Sequence, residues 1–188
     1  MKTRCEWGNS SEIYQKYHDE EWGVPVYDDQ KLFEFLVLES AQAGLSWITI
    51  LKRREGYRKA FANFDPQIVS KFDEKKVEEL MQDTGIIRNR LKIEAAISNA
   101  RVFLKIQEEF GSFSNYLWGF VGGKPIVNKF EKMLDIPAKT ELSELISKEM
   151  KKRGFKFLGA TVIYSHMQAT GLVNDHLDYC FRYNELSI

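Results

Sequence analysis

Residues 73–111 read DEKKVEELMQDTGIIRNRLKIEAAISNARVFLKIQEEFG. Asp73 has the short oxygen-bearing side chain that caps a helix, and Val77, Leu80 and Met81 follow at helical spacing. Gly85 permits the turn that ends this helix. A second helix starts near Arg88 and runs to Gly111, which lacks the Cβ that would resist a helix stop. Two helices joined by a glycine-bearing turn, with no strand-like alternation, decide for an α-helical fold.

The same signals recur outward from this pair. Asp65-Pro66 is a cap followed by proline at the first helical position. Thr140 caps ELSELISKEMKKR, which Gly154 stops, and a further helix covers Thr161 to Thr170 before Gly171. Residues 31–43, KLFEFLVLESAQA, form an apolar helix, and Tyr14 and Tyr17 lie three apart on a short one. The stretch FVGGKPIV, 120–127, holds a turn and at most a short hairpin. There is no repeat and no low-complexity linker. The expectation is one all-α domain over residues 1–188, with the N- and C-terminal segments closing together as a lobe.

Composition bounds the function. With 27 basic and 27 acidic residues the net charge is zero, so a nucleic-acid partner requires positive charge gathered on one face. No apolar run reaches the roughly 18 residues of a membrane span, and MKTRCEWGNS is not a secretory leader. A cytoplasmic protein is expected, where the two cysteines do not form a disulfide framework.

Those cysteines lie far apart, at Cys5 and Cys180, and two of the three histidines lie near them, at His18 and His176. If 176–180 is helical, His176 and Cys180 share a face. Two thiolates and two imidazoles make a full tetrahedral set for Zn²⁺. Read singly, each residue serves equally as a packed cysteine or a surface histidine, and the spacing matches no standard finger. As a metal set the four leave no open position, so the ion would be structural and would tie the terminal segments together.

Glu39 continues the apolar stripe of Leu32, Phe35 and Leu36, whereas Glu34 lies off it and is expected in solvent. A carboxylate on a core-facing stripe is either paired structurally or kept for a ligand. Trp7, Tyr14, Tyr17, Trp22 and Trp47 crowd the same part of the sequence. Aromatic faces beside a carboxylate suit a flat cationic ligand, and they also suit a core. The turn DTGIIRNR opens a helix N-terminus beside Arg88, Arg90 and Lys92, which is compatible with a grip on a phosphate. Lys52-Arg53-Arg54 and Lys151-Lys152-Arg153 with Lys156 are further basic clusters.

Taken together, RCEW, YQKYHDEEWGVPVYDD, LFEFLVLESAQAGLSWITIL, TGIIRNRLKI and KKRGFKFLGATVIYSHMQATGLVNDH with Cys180 resemble the bacterial 3-methyladenine DNA glycosylase I family of the helix-hairpin-helix superfamily. The resemblance covers nearly the whole chain. It implies a helical fold held by a structural zinc on Cys5, His18, His176 and Cys180, with the helix-hairpin-helix around 73–106. It implies excision of 3-methyladenine from duplex DNA by a monomer. Glu39 matches the family's substrate-contacting carboxylate and the catalytic candidate. Trp7, Tyr14, Tyr17, Trp22 and Trp47 match its pocket aromatics. Leu45 matches the residue that wedges into the DNA, and Gly85, Ile86 and Arg88 fall on the phosphate-binding hairpin. Residues 107–145 carry no expected site. Two other readings stay open: a zinc-stabilised DNA-binding module without catalysis, and a zinc hydrolase with a metal-bound water.

Overall fold

The computed structural model describes residues 2–187. Its helices are α1 (Glu12–Glu20), α2 (Asp29–Gln42), α3 (Trp47–Ala60), α4 (Pro66–Val69), α5 (Glu74–Gln82), α6 (Arg90–Phe110), α7 (Phe113–Gly119), α8 (Glu141–Lys152), α9 (Ala160–Ala169) and α10 (Phe181–Glu185). Two-residue strands, β1 (Ile126–Val127) and β2 (Val173–Asn174), are the only sheet among the described residues. They pair in parallel across a long separation, so FVGGKPIV holds the expected turn but no hairpin, its short strand pairing with a distant one. Among the described residues no helix is long and apolar enough to cross a membrane.

The caps read from the sequence are made. Asp73 accepts from Lys76 N–H, Asp65 from Gln67 and Ile68, and Thr140 exchanges bonds with Ser143 in a capping box. Gly111 ends α6 in the left-handed region. Gly85 does not end α5, which stops at Gln82, and α6 begins at Arg90 on an Asn89 cap. The reason for Gly85 is contact. A Cβ on Gly85 would sit 3.0 Å from Asp83 Oδ1 and 3.4 Å from Gly56 Cα, and one on Gly56 of α3 would sit 2.2 Å from Gly85 O, so helix and turn meet backbone to backbone and Gly56 is the more tightly required of the two.

Helix α2 lies at the centre, in contact with α3, α6, α7 and α9. Every residue from Leu32 to Ala41 is buried. A helix covered on all sides has no solvent face, which overturns the expectation for Glu34. That side chain is 3% exposed and is held by Arg54 Nε at 2.7 Å, Arg58 at 3.1 Å and Lys31 at 3.1 Å. The terminal segments do meet: Phe181 N–H donates to Thr3 O.

Candidate active site and metal centre

All six residues expected to contact a base line one cavity of about 420 Å³. Trp7 comes from a 3-10 turn (Glu6–Asn9), Tyr14 and Tyr17 from α1, and Trp22 from the turn behind it. Glu39 comes from α2, and Trp47 is the first residue of α3. Trp7 meets Trp22 edge-on at 5.1 Å and Tyr14 at 5.6 Å, while Tyr17 lies 5.7 Å from Trp47. Ser46 gives α3 no side-chain cap; Tyr14 does part of that work by accepting from Ile48 N–H at 3.0 Å. The Trp47 Nε1–H is buried without an acceptor.

Glu39 and Glu34 share α2 but lie in different environments. Burial pushes both up, but at Glu34 the hydrogen bond and charge of Arg54, then Lys31, outweigh it and the carboxyl ends below its ordinary value. Glu39 is 4% exposed and accepts no hydrogen bond among the described residues. Burial alone pushes its carboxyl up to about 8. Tyr17 is raised well above its ordinary value by burial and then by the nearby charge of Glu39. A buried carboxylate with no protein partner, facing a cavity walled by π faces, can take a cation whose edge carries N–H donors.

The structure adds residues that sequence reasoning missed. Met133, Ile136, Pro137 and Ala138 close one side of the cavity, from the stretch expected to carry no site. Gln42 and, from α9, Thr161, Tyr164, Ser165 and Gln168 close another. The α9 residues lie on one face by helical spacing, a signal present in the sequence.

Cys5, His18, His176 and Cys180 converge as a buried group whose ligand atoms all lie within 4.8 Å of one another. His176 and Cys180 are not on a helix; they flank a turn after β2. Cys5 Sγ and Cys180 Sγ each lie 3.6 Å from His176 Nδ1, and Cys180 Sγ lies 3.5 Å from His18 Nε2. The far ring nitrogens fix the tautomers. His18 Nδ1–H donates to Asp19 at 2.8 Å, and Asp19 is clamped by Arg4; His176 Nε2–H donates to Trp22 O at 2.9 Å. Both remaining lone pairs therefore face the sulfurs. Each thiol is shifted first by the other, Cys180 well below its ordinary value and Cys5 well above. The Cys/His group also braces the cavity: Trp7 meets His18 at 5.1 Å and Trp22 meets His176 at 4.6 Å.

Leu45 stands 37% exposed in the turn between α2 and α3, with Gln42 Nε2 donating to its carbonyl at 2.8 Å. Arg88 is exposed, but Ile86 is buried in the core, so only its backbone can face a ligand. The N–H groups of Ile86 and Arg88 donate to no acceptor among the described residues, whereas Gly85 N–H is taken by Asp83 and Ile87 N–H by Tyr57. Lys92 Nζ donates to Ala41 O at 2.9 Å and Ala43 O at 2.6 Å, joining this hairpin to the turn that carries Leu45. The basic clusters are partly spent. Arg54 belongs to Glu21 and Glu34, Arg53 donates to Thr84 O, and Lys152 and Arg153 pair with Glu149 and Glu109.

A family model described as methyladenine glycosylase matches residues 7–183. The chain is 51% identical over 180 residues to DNA-3-methyladenine glycosylase 1 of Escherichia coli, covering 96% of each chain. It is 49% identical over 180 residues to DNA-3-methyladenine glycosylase of Haemophilus influenzae, covering 96% of this chain and 97% of that one. In three dimensions it matches a crystal structure of 3-methyladenine DNA glycosylase I with a TM-score of 0.92 at 51% identity, over 95% of this chain and 98% of the other. The Staphylococcus aureus 3-methyladenine DNA glycosylase I, in a structure described as the basis of 3-methyladenine recognition, matches with a TM-score of 0.92 at 40% identity over 95% of each chain. Agreement in sequence over residues 7–183 and in backbone over nearly the whole chain leaves one assignment: the chain belongs to the methyladenine glycosylase family.

Proposed function

We propose that this protein is a DNA-3-methyladenine glycosylase that extrudes the damaged nucleotide from duplex DNA and hydrolyses its N-glycosidic bond. The observation that carries the reading is Glu39, a buried carboxylate without a protein partner in an aromatic cavity of about 420 Å³. Methylation at N3 makes the base cationic and a good leaving group. The base departs with the electrons of the C1′–N bond, and water adds at C1′, giving an abasic site and free 3-methyladenine. Trp7, Tyr14, Tyr17, Trp22 and Trp47 supply faces for the cation, and Glu39 accepts from its edge. Glu39 also sits where it can favour the oxocarbenium-like sugar.

Leu45 fills the stack that the extruded base leaves. The hairpin residues Gly85, Ile86 and Arg88 hold a backbone phosphate through free N–H groups and the Arg88 charge, within a helix-hairpin-helix formed by α5 and α6. The turn 153–159 is a second place for such a grip. It carries exposed Lys156, and it opens α9, which has no side-chain cap and bears one cavity wall. Binding weakens with salt as counterions are released.

The metal reading is one structural Zn²⁺ on Cys5, His18, His176 and Cys180. Bond lengths of about 2.3 Å to sulfur and 2.0–2.1 Å to nitrogen give a tetrahedral S···N edge of about 3.5–3.6 Å, and three of the four sulfur–nitrogen pairs here lie 3.5 or 3.6 Å apart. The ion when bound supplies a cross-link. Four protein ligands leave no place for a reactive water, which disfavours a zinc hydrolase.

The test is incubation of the zinc-loaded protein with methylated duplex DNA, followed by identification of released bases. Release of 3-methyladenine with abasic sites in equal number is expected. DNA binding without any released base would overturn the reading in favour of a binding module.

A further inference from the structure

We propose that Asp175 is a positioning residue that sets the hydrogen-bond polarity of the base cavity, and so its choice between purines. The inference rests on the glycosylase reading of that cavity. Asp175 follows β2 directly and is 1% exposed. Three donors reach its carboxylate: Asn128 Nδ2 at 2.7 Å, Gln168 Nε2 at 2.9 Å and the Tyr164 hydroxyl. No cation pairs with it among the described residues.

Tyr164 and Gln168 lie four apart on α9 and both line the cavity. A tyrosine has one hydrogen to donate and a glutamine amide has two. Two of these three hydrogens go to Asp175. Because a carboxylate only accepts, the Gln168 nitrogen must face it, which turns the amide oxygen the other way. Tyr164 is left with lone pairs. Gln42, the last residue of α2 and on the same side of the cavity, also has its amide nitrogen held, by Leu45 O. The hydroxyls of Thr161 and Ser165 rotate to suit either partner, so the fixed polarity comes from the clamped groups. The wall they form is rich in acceptors.

Such a wall complements an adenine edge, whose exocyclic amino group donates, and disfavours a guanine edge, whose O6 accepts. The unpaired acceptors that the wrong base would leave are the source of discrimination. Asp175→Asn keeps the size but can donate, so Tyr164 is free to turn its proton into the cavity. Asp175→Asn is expected to cut the preference for free 3-methyladenine over free 3-methylguanine by about tenfold. Tyr164→Phe is expected to lower the same ratio. The two changes should be non-additive when combined, because they act through one bond.

The measurement is the affinity of the metal-loaded parent and variants for each free base by calorimetry, with metal content and melting temperature recorded. Gln168→Met and Tyr164→Phe carry the test if Asp175→Asn does not fold. A parent that binds neither base overturns the glycosylase reading itself. A parent that prefers 3-methyladenine, with folded variants that keep the full ratio, overturns the role of Asp175 alone.

Discussion

At the scale of residues, two carboxylates on α2 sit in opposite surroundings: Glu34 is clasped by cations, and Glu39 faces the cavity without one. The burial of Glu39 was legible because it continues an apolar stripe, where a carboxylate needs a partner or a ligand. Glu34 was misread as solvated. Its cover comes from Arg54 and Arg58 on α3, whose arrival over α2 is a tertiary fact that periodicity does not contain. The partnered group is held low and the unpartnered one is pushed up to about 8. In the free protein at neutral pH, Glu39 therefore carries a proton most of the time, and a cationic ligand must displace it. Affinity for a permanently cationic N-methylated purine is expected to rise about tenfold per pH unit up to about 8 and to level above it. Glu39→Gln should flatten that profile and cost about tenfold to a hundredfold in preference for the cation over neutral adenine. Stability runs the other way. The native state keeps a proton that the unfolded chain gives up above 4.5, so this group's contribution falls as pH rises from 4.5 to about 8. Binding titrations from pH 6 to 9 decide the matter, and an affinity independent of pH in the parent would remove Glu39 from base recognition.

Among the elements, helices were legible and connections were not. Caps at Asp65, Asp73 and Thr140 are local chemistry and stand where the sequence put them. The parallel β1–β2 pair joins residues far apart in the chain, and the loop at 133–138 reaches the cavity only through tertiary folding. Neither leaves a periodic trace. Four-residue spacing places His176 and Cys180 together if the segment is helical; a turn achieves the same convergence here. The α2–α3 turn is held by Gln42 from within and by Lys92 from α6, so Leu45 is presented on a braced loop. Leu45→Ala is expected to slow single-turnover excision from duplex DNA about tenfold or more, since the unstacking cost of a few kcal/mol loses its compensation. Excision from a single strand should change little. Equal rates on duplex for parent and variant would sever Leu45 from extrusion.

For the molecule as a whole, the Cys/His centre joins positions 171 residues apart, and its rings abut the aromatic walls of the cavity. A cross-link closing a loop of that size removes about 5 kcal/mol of unfolded-state entropy. Cys180→Ser, or chelation of the parent, is therefore expected to lower the melting temperature by about 10–20 °C and to take metal content from one per chain to none. Excision measured well below the new melting temperature should fall less than it does in Glu39→Gln. Full thermal stability in metal-free protein would overturn the staple. Because Cys5 and His18 are made early and His176 and Cys180 late, the centre has a direction in time. A ribosome translating this chain exposes half a coordination sphere long before the other half exists. The walls built from Trp7 and Trp22 cannot be braced until Cys180 has left the exit tunnel. Bracing of the pocket thus waits on the 176–180 turn, which is made long after the pocket's first aromatic residues.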